Sequence, residues 1–227
     1  MEAEDKRRQL EAEEAERQAR IEKHLARCRN EASELQHEIG GALFDTNPEH
    51  PDIDGATMQQ FLEWFIENNE LEPRPLNGTL TGPPGTGKSR ALAAAAVAQC
   101  QRSGRENVEW ITGYEFAELV SSLSTEKRDE ATARLKTISE AYWLFFDDLG
   151  SSNFTKARLT RLFSLIDERY RRHLPTFFST EYTTPQLKKK INETKDSKDA
   201  STRILRRIIG TTNTPLAKFF HFKRPQK

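Results

Sequence analysis

The spacing of apolar residues divides the chain into segments of distinct character. From Glu2 to about Glu38 nearly every residue is a good helix former, and neither Pro nor Gly interrupts until Gly40 and Gly41, which predicts one long helix. In its second half Ile21, Leu25, Cys28, Ala32, Leu35 and Ile39 recur at spacings of 4, 3, 4, 3 and 4, a coiled-coil seam that fades after under three heptads. A seam this short predicts a helix that docks on a partner or on the body of its own chain, with a solvated arm as the alternative. Gly40 to Asp54, with Gly-Gly, Asn47-Pro48 and His50-Pro51, predicts a linker. The expected division is therefore residues 1–40, a partner-docking charged helix, and residues 41–227, the main domain.

Beyond the linker, Met58, Phe61, Leu62, Phe65 and Ile66 repeat at helical spacing; Trp64 falls off that face and is assigned to the surface, with a place beside a nucleobase as the alternative. Short apolar runs then alternate with helical patterns. Strands are predicted at Leu76 to Thr81, Val108 to Ile111, Tyr142 to Asp147 and Pro175 to Thr180. Helices are predicted from Arg90 to Cys100, through Phe116, Leu119, Val120 and Leu123, from about Glu126 to Glu140, and through Leu159, Leu162, Phe163, Ile166 and Tyr170. Lys188 to Ala200 is hydrophilic and reads as a loop. Alternation of this kind predicts an α/β fold with a mostly parallel sheet and helices on both faces, whose ligands bind at the carboxyl ends of the strands.

Composition changes this picture little. The chain has 227 residues, 31% charged and 35% hydrophobic, with 35 Lys/Arg balancing 35 Asp/Glu. The balance is uneven, because Lys188 to Lys227 carries 12 Lys/Arg against 3 Asp/Glu, making that end the candidate polyanion-facing one. Only two cysteines occur, Cys28 and Cys100, far apart, which suggests neither a disulfide framework nor a paired-cysteine metal site. His24 and Cys28 lie one turn apart, but no second pair completes a metal site. The first ten residues are charged where a signal peptide needs an apolar core, and no stretch suits a membrane; a reducing cytoplasm is the expected location.

The chemistry is concentrated at Gly82-Pro83-Pro84-Gly85-Thr86-Gly87-Lys88-Ser89, which fits G-x-x-x-x-G-K-[ST] between a predicted strand and a predicted helix. Its glycines let successive N–H groups turn inward at the positive end of the following helix, a cradle for phosphate oxygens. Lys88 is expected to reach the β- and γ-phosphates of ATP and Ser89 to offer its hydroxyl to Mg2+, with Arg90 counted among the nucleotide-contacting positions. The run Leu144-Phe145-Phe146-Asp147-Asp148-Leu149-Gly150 supplies the second half, an apolar strand ending in two acids. Asp147 is assigned to the metal shell and Asp148 to polarising the attacking water.

These residues resemble the AAA+ ATPases of the DnaC/IstB type, helicase loaders and transposition helper ATPases. The resemblance covers about Leu76 to Gly210, and Asp147-Asp148-Leu149-Gly150 is its most specific part. It implies an ATP-hydrolysing accessory protein acting on a replicative helicase or a transposase. It also implies a γ-phosphate sensor at the end of the fourth strand, where Thr180 is the nearest match and Glu181 stands where relatives often have Asn. Finally it implies an arginine finger within Ser201-Thr202-Arg203-Ile204-Leu205-Arg206-Arg207-Ile208-Ile209, assigned to Arg203, so that the active form is a homo-oligomer. From the residues alone, Ile204, Leu205, Ile208 and Ile209 form an apolar stripe from which the arginines point away.

Lys188-Lys189-Lys190 and the tail Lys218-Phe219-Phe220-His221-Phe222-Lys223-Arg224 interleave cations with rings, which suits single-stranded DNA or, equally, a final strand packed on the sheet. Two functions remain open at this point: an ATPase, and a nucleotide-dependent adaptor that hydrolyses little.

Overall fold

A computed structural model of the chain describes residues 2–40 (side chains from residue 13 onward), 52–69, 76–194, 205, 207–208 and 217–225. Among the described residues the elements run α1 (Glu2–Ile39), α2 (Gly55–Asn68), β1 (Asn77–Thr81), α3 (Lys88–Ser103), β2 (Val108–Thr112), α4 (Gly113–Ser122), α5 (Arg128–Glu140), β3 (Trp143–Asp147), α6 (Lys156–Arg171), β4 (Thr176–Thr180), α7 (Thr184–Asn192) and β5 (Ala217–His221). The five strands form one parallel sheet in the order β2-β3-β4-β1-β5. The α/β expectation holds, and the tail resolves as a fifth strand: β5 pairs with β1, Phe220 and Phe222 are buried, and Phe219 remains partly exposed. The linker predicted at Gly40 to Asp54 falls largely outside the described residues.

Successive side chains on a strand point to opposite faces, and the paired phenylalanines use both. Phe145 and Phe177 join the core beneath α2 and α3, while Phe146 and Phe178 join the core beneath α4 to α7. Burial on both faces is why β3 and β4 read as unbroken apolar runs.

The seam of α1 settles on the chain's own body, since α1 packs on α3 and Cys28, Ala32 and Leu35 are fully buried. The turn after α3 grips the same helix. Glu31 accepts a hydrogen bond from the Arg105 N–H (2.8 Å), Glu38 pairs with the Arg105 guanidinium (3.1 Å), and Arg27 pairs with Glu106 (3.1 Å). Toward the amino end the contact stops: Glu13 to Arg27 is exposed throughout, with Ile21 and Leu25 more than two-fifths accessible.

Two expectations change. Trp64 is buried, in tilted and edge-on contact with Phe61, Phe177 and Phe220, whereas Ile66 is 58% exposed. The buried face of α2 is Phe61, Trp64, Phe65 and Asn68, an i, i+3, i+4, i+7 stripe rotated away from Ile66 because the helix lies across β4, β1 and β5. Trp64→Ala is expected to cost about 3–5 kcal/mol in urea unfolding, the usual range for emptying a large aromatic site. The segment from Lys188 is also not a loop at its start: α7 runs to Asn192, opened by a capping box between Thr183 and Gln186 and by Pro185 in its first turn.

Candidate nucleotide site

At the carboxyl end of the sheet the chain encloses a cavity of about 790 Å3, lined on one side by Pro84, Gly85, Gly87, Lys88, Ser89 and Arg90, and on the other by Asp147, Asp148, Ser179 and Glu181. Sheet order explains the meeting. β4 lies between β1, which leads into the phosphate loop, and β3, which ends in the acids. Three strand ends therefore converge on one cleft, the place where such sheets bind ligands.

Gly82, Pro83 and Thr86 shape the loop from behind. A Cβ on Gly82, whose φ is 141°, would lie 2.2 Å from the Phe222 carbonyl oxygen, so no side chain fits there. The Thr86 hydroxyl donates to the Pro83 carbonyl at 2.9 Å and braces the turn. Gly87 takes a left-handed φ of 97° and caps α3 without any side-chain hydrogen bond, leaving the first N–H groups of the helix to face the cavity. The Lys88 ammonium donates to the Pro83 carbonyl at 2.7 Å. Burial lowers its pKa, opposed by Glu181, Asp148 and Asp147 in that order.

On the acidic side the Asp147 carboxylate is buried, and burial raises its pKa against the hydrogen bonds it accepts from Ser179 and Ser89. The Ser179 hydroxyl donates to Asp147 and accepts the Asp148 N–H at 2.8 Å, so one β4 side chain fixes both acids. Asp148 itself sits at φ 53°, half-exposed at the cavity wall. A buried carboxylate tied to a hydroxyl is an oxygen set that a hard divalent cation accepts, completed by phosphate and water oxygens. Among the described residues no cluster of three or more His, Cys, Asp or Glu forms a metal cage.

Thr180, the expected γ-phosphate sensor, is 1% exposed and its hydroxyl donates to the Leu149 carbonyl at 2.7 Å, while its neighbours Ser179 and Glu181 line the cavity. Arg203 lies outside the described residues. Of its neighbours, Arg207 is committed within the chain, paired with Asp167 and lying over the Tyr170 ring at 5.2 Å. Lys190 is likewise committed, donating to the Gly150 carbonyl and the Tyr182 hydroxyl, both at 2.6 Å, which ties α7 to the loop after the acids.

Comparison with known proteins agrees with this geometry. No curated protein matches the sequence significantly. Among solved structures, that of DnaI is 24% identical, with a TM-score of 0.60, covering 84% of this chain and 92% of that one. A primosome component from Streptococcus pyogenes serotype M3 is 21% identical, with a TM-score of 0.54 and coverage of 81% and 86%. AMPPCP-bound DnaA from Aquifex aeolicus is 18% identical, with a TM-score of 0.52 and coverage of 71% and 45%. These share the AAA+ P-loop fold. Residues 8–211 match the family described as IstB-like ATP binding protein, a span that holds both walls of the cleft except its carboxyl-terminal part, and the chain belongs to that ATP-binding family.

Proposed function

We propose that the chain hydrolyses ATP with Mg2+ as an AAA+ accessory protein, assembles into a homo-oligomer, and acts on a replicative helicase or a transposase at single-stranded DNA. The observation that carries the reading is the meeting of Lys88 and Ser89 with Asp147 and Asp148 at the walls of one cleft, where Ser179 donates to Asp147. Ser89 and Asp147 would hold the cation, Lys88 would neutralise the β- and γ-phosphates, and Asp148 would orient water toward the γ-phosphorus. The cation would supply charge neutralisation to the phosphates. Membership in an ATP-binding family supports the substrate, and the primosome component among proteins of the same fold supports a setting in replication. The exposed half of α1, with Ile21 and Leu25 uncovered, supports a docking helix for the partner. No helix among the described residues is long and apolar enough to cross a membrane.

A second reading, a nucleotide-dependent adaptor with little turnover, takes its support from Thr180, whose hydroxyl is spent on Leu149 rather than on a phosphate.

A single complementation assay tests both. Lys88→Ala is expected to abolish turnover by removing the phosphate cation, and Arg203→Ala to lower it at least about a hundredfold by removing a finger supplied in trans. Mixed, the first variant still presents Arg203 to the intact phosphate loop of the second, and turnover is expected to return. Wild-type turnover no higher than that of Lys88→Ala, with ATP still bound, sinks the enzyme in favour of the adaptor. Full activity in Arg203→Ala alone sinks the trans arrangement.

A further inference from the structure

Glu181 lines the acidic side of the cavity with Asp147 and Asp148, yet it has no part in the chemistry proposed above. Its placement follows from the sheet. β4 is paired with β1 as far as Thr180 and Thr81, and with β3 as far as Phe178 and Phe146. The residue after Thr180 therefore leaves the sheet between the strand that opens into the phosphate loop at Gly82 and the strand that ends at Asp147, about one strand spacing of 4.8 Å from each. Alternation along the chain puts Glu181 on the side of Ser179, and both line the cavity.

The backbone on either side of Glu181 is anchored. The Thr180 hydroxyl donates to the Leu149 carbonyl at 2.7 Å and accepts the Tyr182 N–H at 3.3 Å. The Tyr182 ring closes on Gly150, where a Cβ would lie 3.0 Å from it, and the Tyr182 hydroxyl accepts from Lys190 at 2.6 Å. The main chain thus holds Glu181 at the wall and leaves only its side chain to rotate.

The chemistry of a carboxylate decides what it does there. Among the acids that act on the Lys88 ammonium, Glu181 acts most strongly, ahead of Asp148 and Asp147, so its charge lies toward the cation that meets the phosphates. An ionised carboxylate only accepts hydrogen bonds, and so do the oxygens of an ionised phosphate. Asp147 is satisfied by the Ser179 hydroxyl, which donates to it. A γ-phosphate lodged between Lys88 and the acids meets Glu181 as anion against anion, in a cleft where such repulsion is stronger than in bulk water. A diphosphate is one phosphate shorter and stops before that wall.

We infer that Glu181 is the residue by which the cleft discriminates between nucleoside tri- and diphosphates, its carboxylate disfavouring a γ-phosphate and leaving ADP unaffected. The inference rests on nucleotide binding at the phosphate loop and deepens it by assigning a residue that sets which nucleotide the chain holds.

Calorimetric titration of the full chain with ADP and with AMPPCP, a non-hydrolysable triphosphate, each with Mg2+, tests the assignment. Glu181→Gln, which keeps the size and removes the charge, is expected to tighten AMPPCP roughly tenfold and to leave ADP within about twofold of the wild type. Glu181→Ala, which introduces no donor toward the phosphate, is expected to tighten AMPPCP likewise. Glu181→Asp, which retains the charge, is expected to keep the ratio of the two affinities within about threefold of the wild type. Unchanged or weakened AMPPCP binding in Glu181→Gln, an equal shift for ADP, or tightening confined to Glu181→Gln and absent from Glu181→Ala would each overturn the inference. So would a ratio in Glu181→Asp that matched Glu181→Gln. A wild-type chain that bound neither nucleotide would instead strike the phosphate-loop reading beneath it.

Discussion

Arg169→Met is expected to lower the stability of the chain by about 3–5 kcal/mol, because several buried carbonyls lose their donor and each unsatisfied group costs about 1–3 kcal/mol. For a chain of this size that corresponds to a fall in Tm of roughly 10 °C, measurable by thermal circular dichroism. Arg169 is 1% exposed on the last turns of α6. Its partners are backbone carbonyls: Ile138, Ser139 and Ala141 at the end of α5, Tyr142 before β3, and Pro175 before β4, at 2.7 to 3.3 Å. Nε donates to the Thr176 hydroxyl at 2.9 Å. One side chain thus satisfies the acceptors that enter two central strands, and its removal leaves them buried without donors. Burial lowers its pKa to about 9, which keeps it cationic at neutral pH. Arg169→Lys is expected to recover only part of the loss, since three donors on a point charge cannot match five in a plane. Stability within about 1 kcal/mol of the wild type in Arg169→Met would show that the carbonyls find water instead.

Asp148→Asn is expected to reduce ATP turnover by about 10²- to 10⁴-fold, the usual contribution of a positioned acid–base group, while ATP affinity stays within a few-fold of the wild type. The substitution is well suited to the question. Asp148 adopts a left-handed φ of 53°, which Asn tolerates better than most residues, and its N–H remains free to donate to Ser179. The loop is therefore preserved while the carboxylate charge is lost. Asp147→Asn is the contrasting variant: it alters the partner of both Ser89 and Ser179, so its loss is expected in cation dependence as well as in turnover. Turnover by Asp148→Asn within threefold of the wild type, measured at saturating ATP and Mg2+, would remove Asp148 from the mechanism and direct attention to Glu181, another carboxylate lining the cleft.

Local chemistry decided what was legible in the sequence. The phosphate loop and the acidic pair stand out because their function requires fixed residue types at adjacent positions, flanked by a strand and a helix that are themselves strongly patterned. The paired phenylalanines of β3 and β4 reveal their strands for a similar reason, because burial on both faces leaves no polar alternation to confuse the period. The end of β4 is harder to read. Ser179 and Thr180 are adjacent hydroxyl residues on opposite faces, and composition cannot say which face meets the cleft, so a shift of one residue exchanges site for core. Trp64 was obscured because a helix lying across several strands buries a wider stripe than its most regular apolar positions trace. The start of α7 was obscured by its lysines, although Thr183-Thr184-Pro185-Gln186 carries a capping box and an early proline that mark a helix start. Arg169 had no local signal, since within Asp167-Glu168-Arg169-Tyr170-Arg171 it is indistinguishable from its solvated neighbours. The cavity wall at Ile53 and Arg224 joins residues 171 positions apart, a proximity created by β5 returning to pair with β1.

The packing of α1 on α3 gives the molecule a mechanical character. α3 begins at Lys88, so the helix that receives α1 is the one whose first turn lines the cavity. From Glu2 to Arg27 the outer part of α1 extends for roughly 39 Å at the usual rise per residue. Rigidly coupled, each degree of rotation at the docked end would carry the far end through about 0.7 Å over that length. The helix is then a lever seated on the element whose first residue is Lys88, so a small change in the tilt of α3 is magnified along its exposed length.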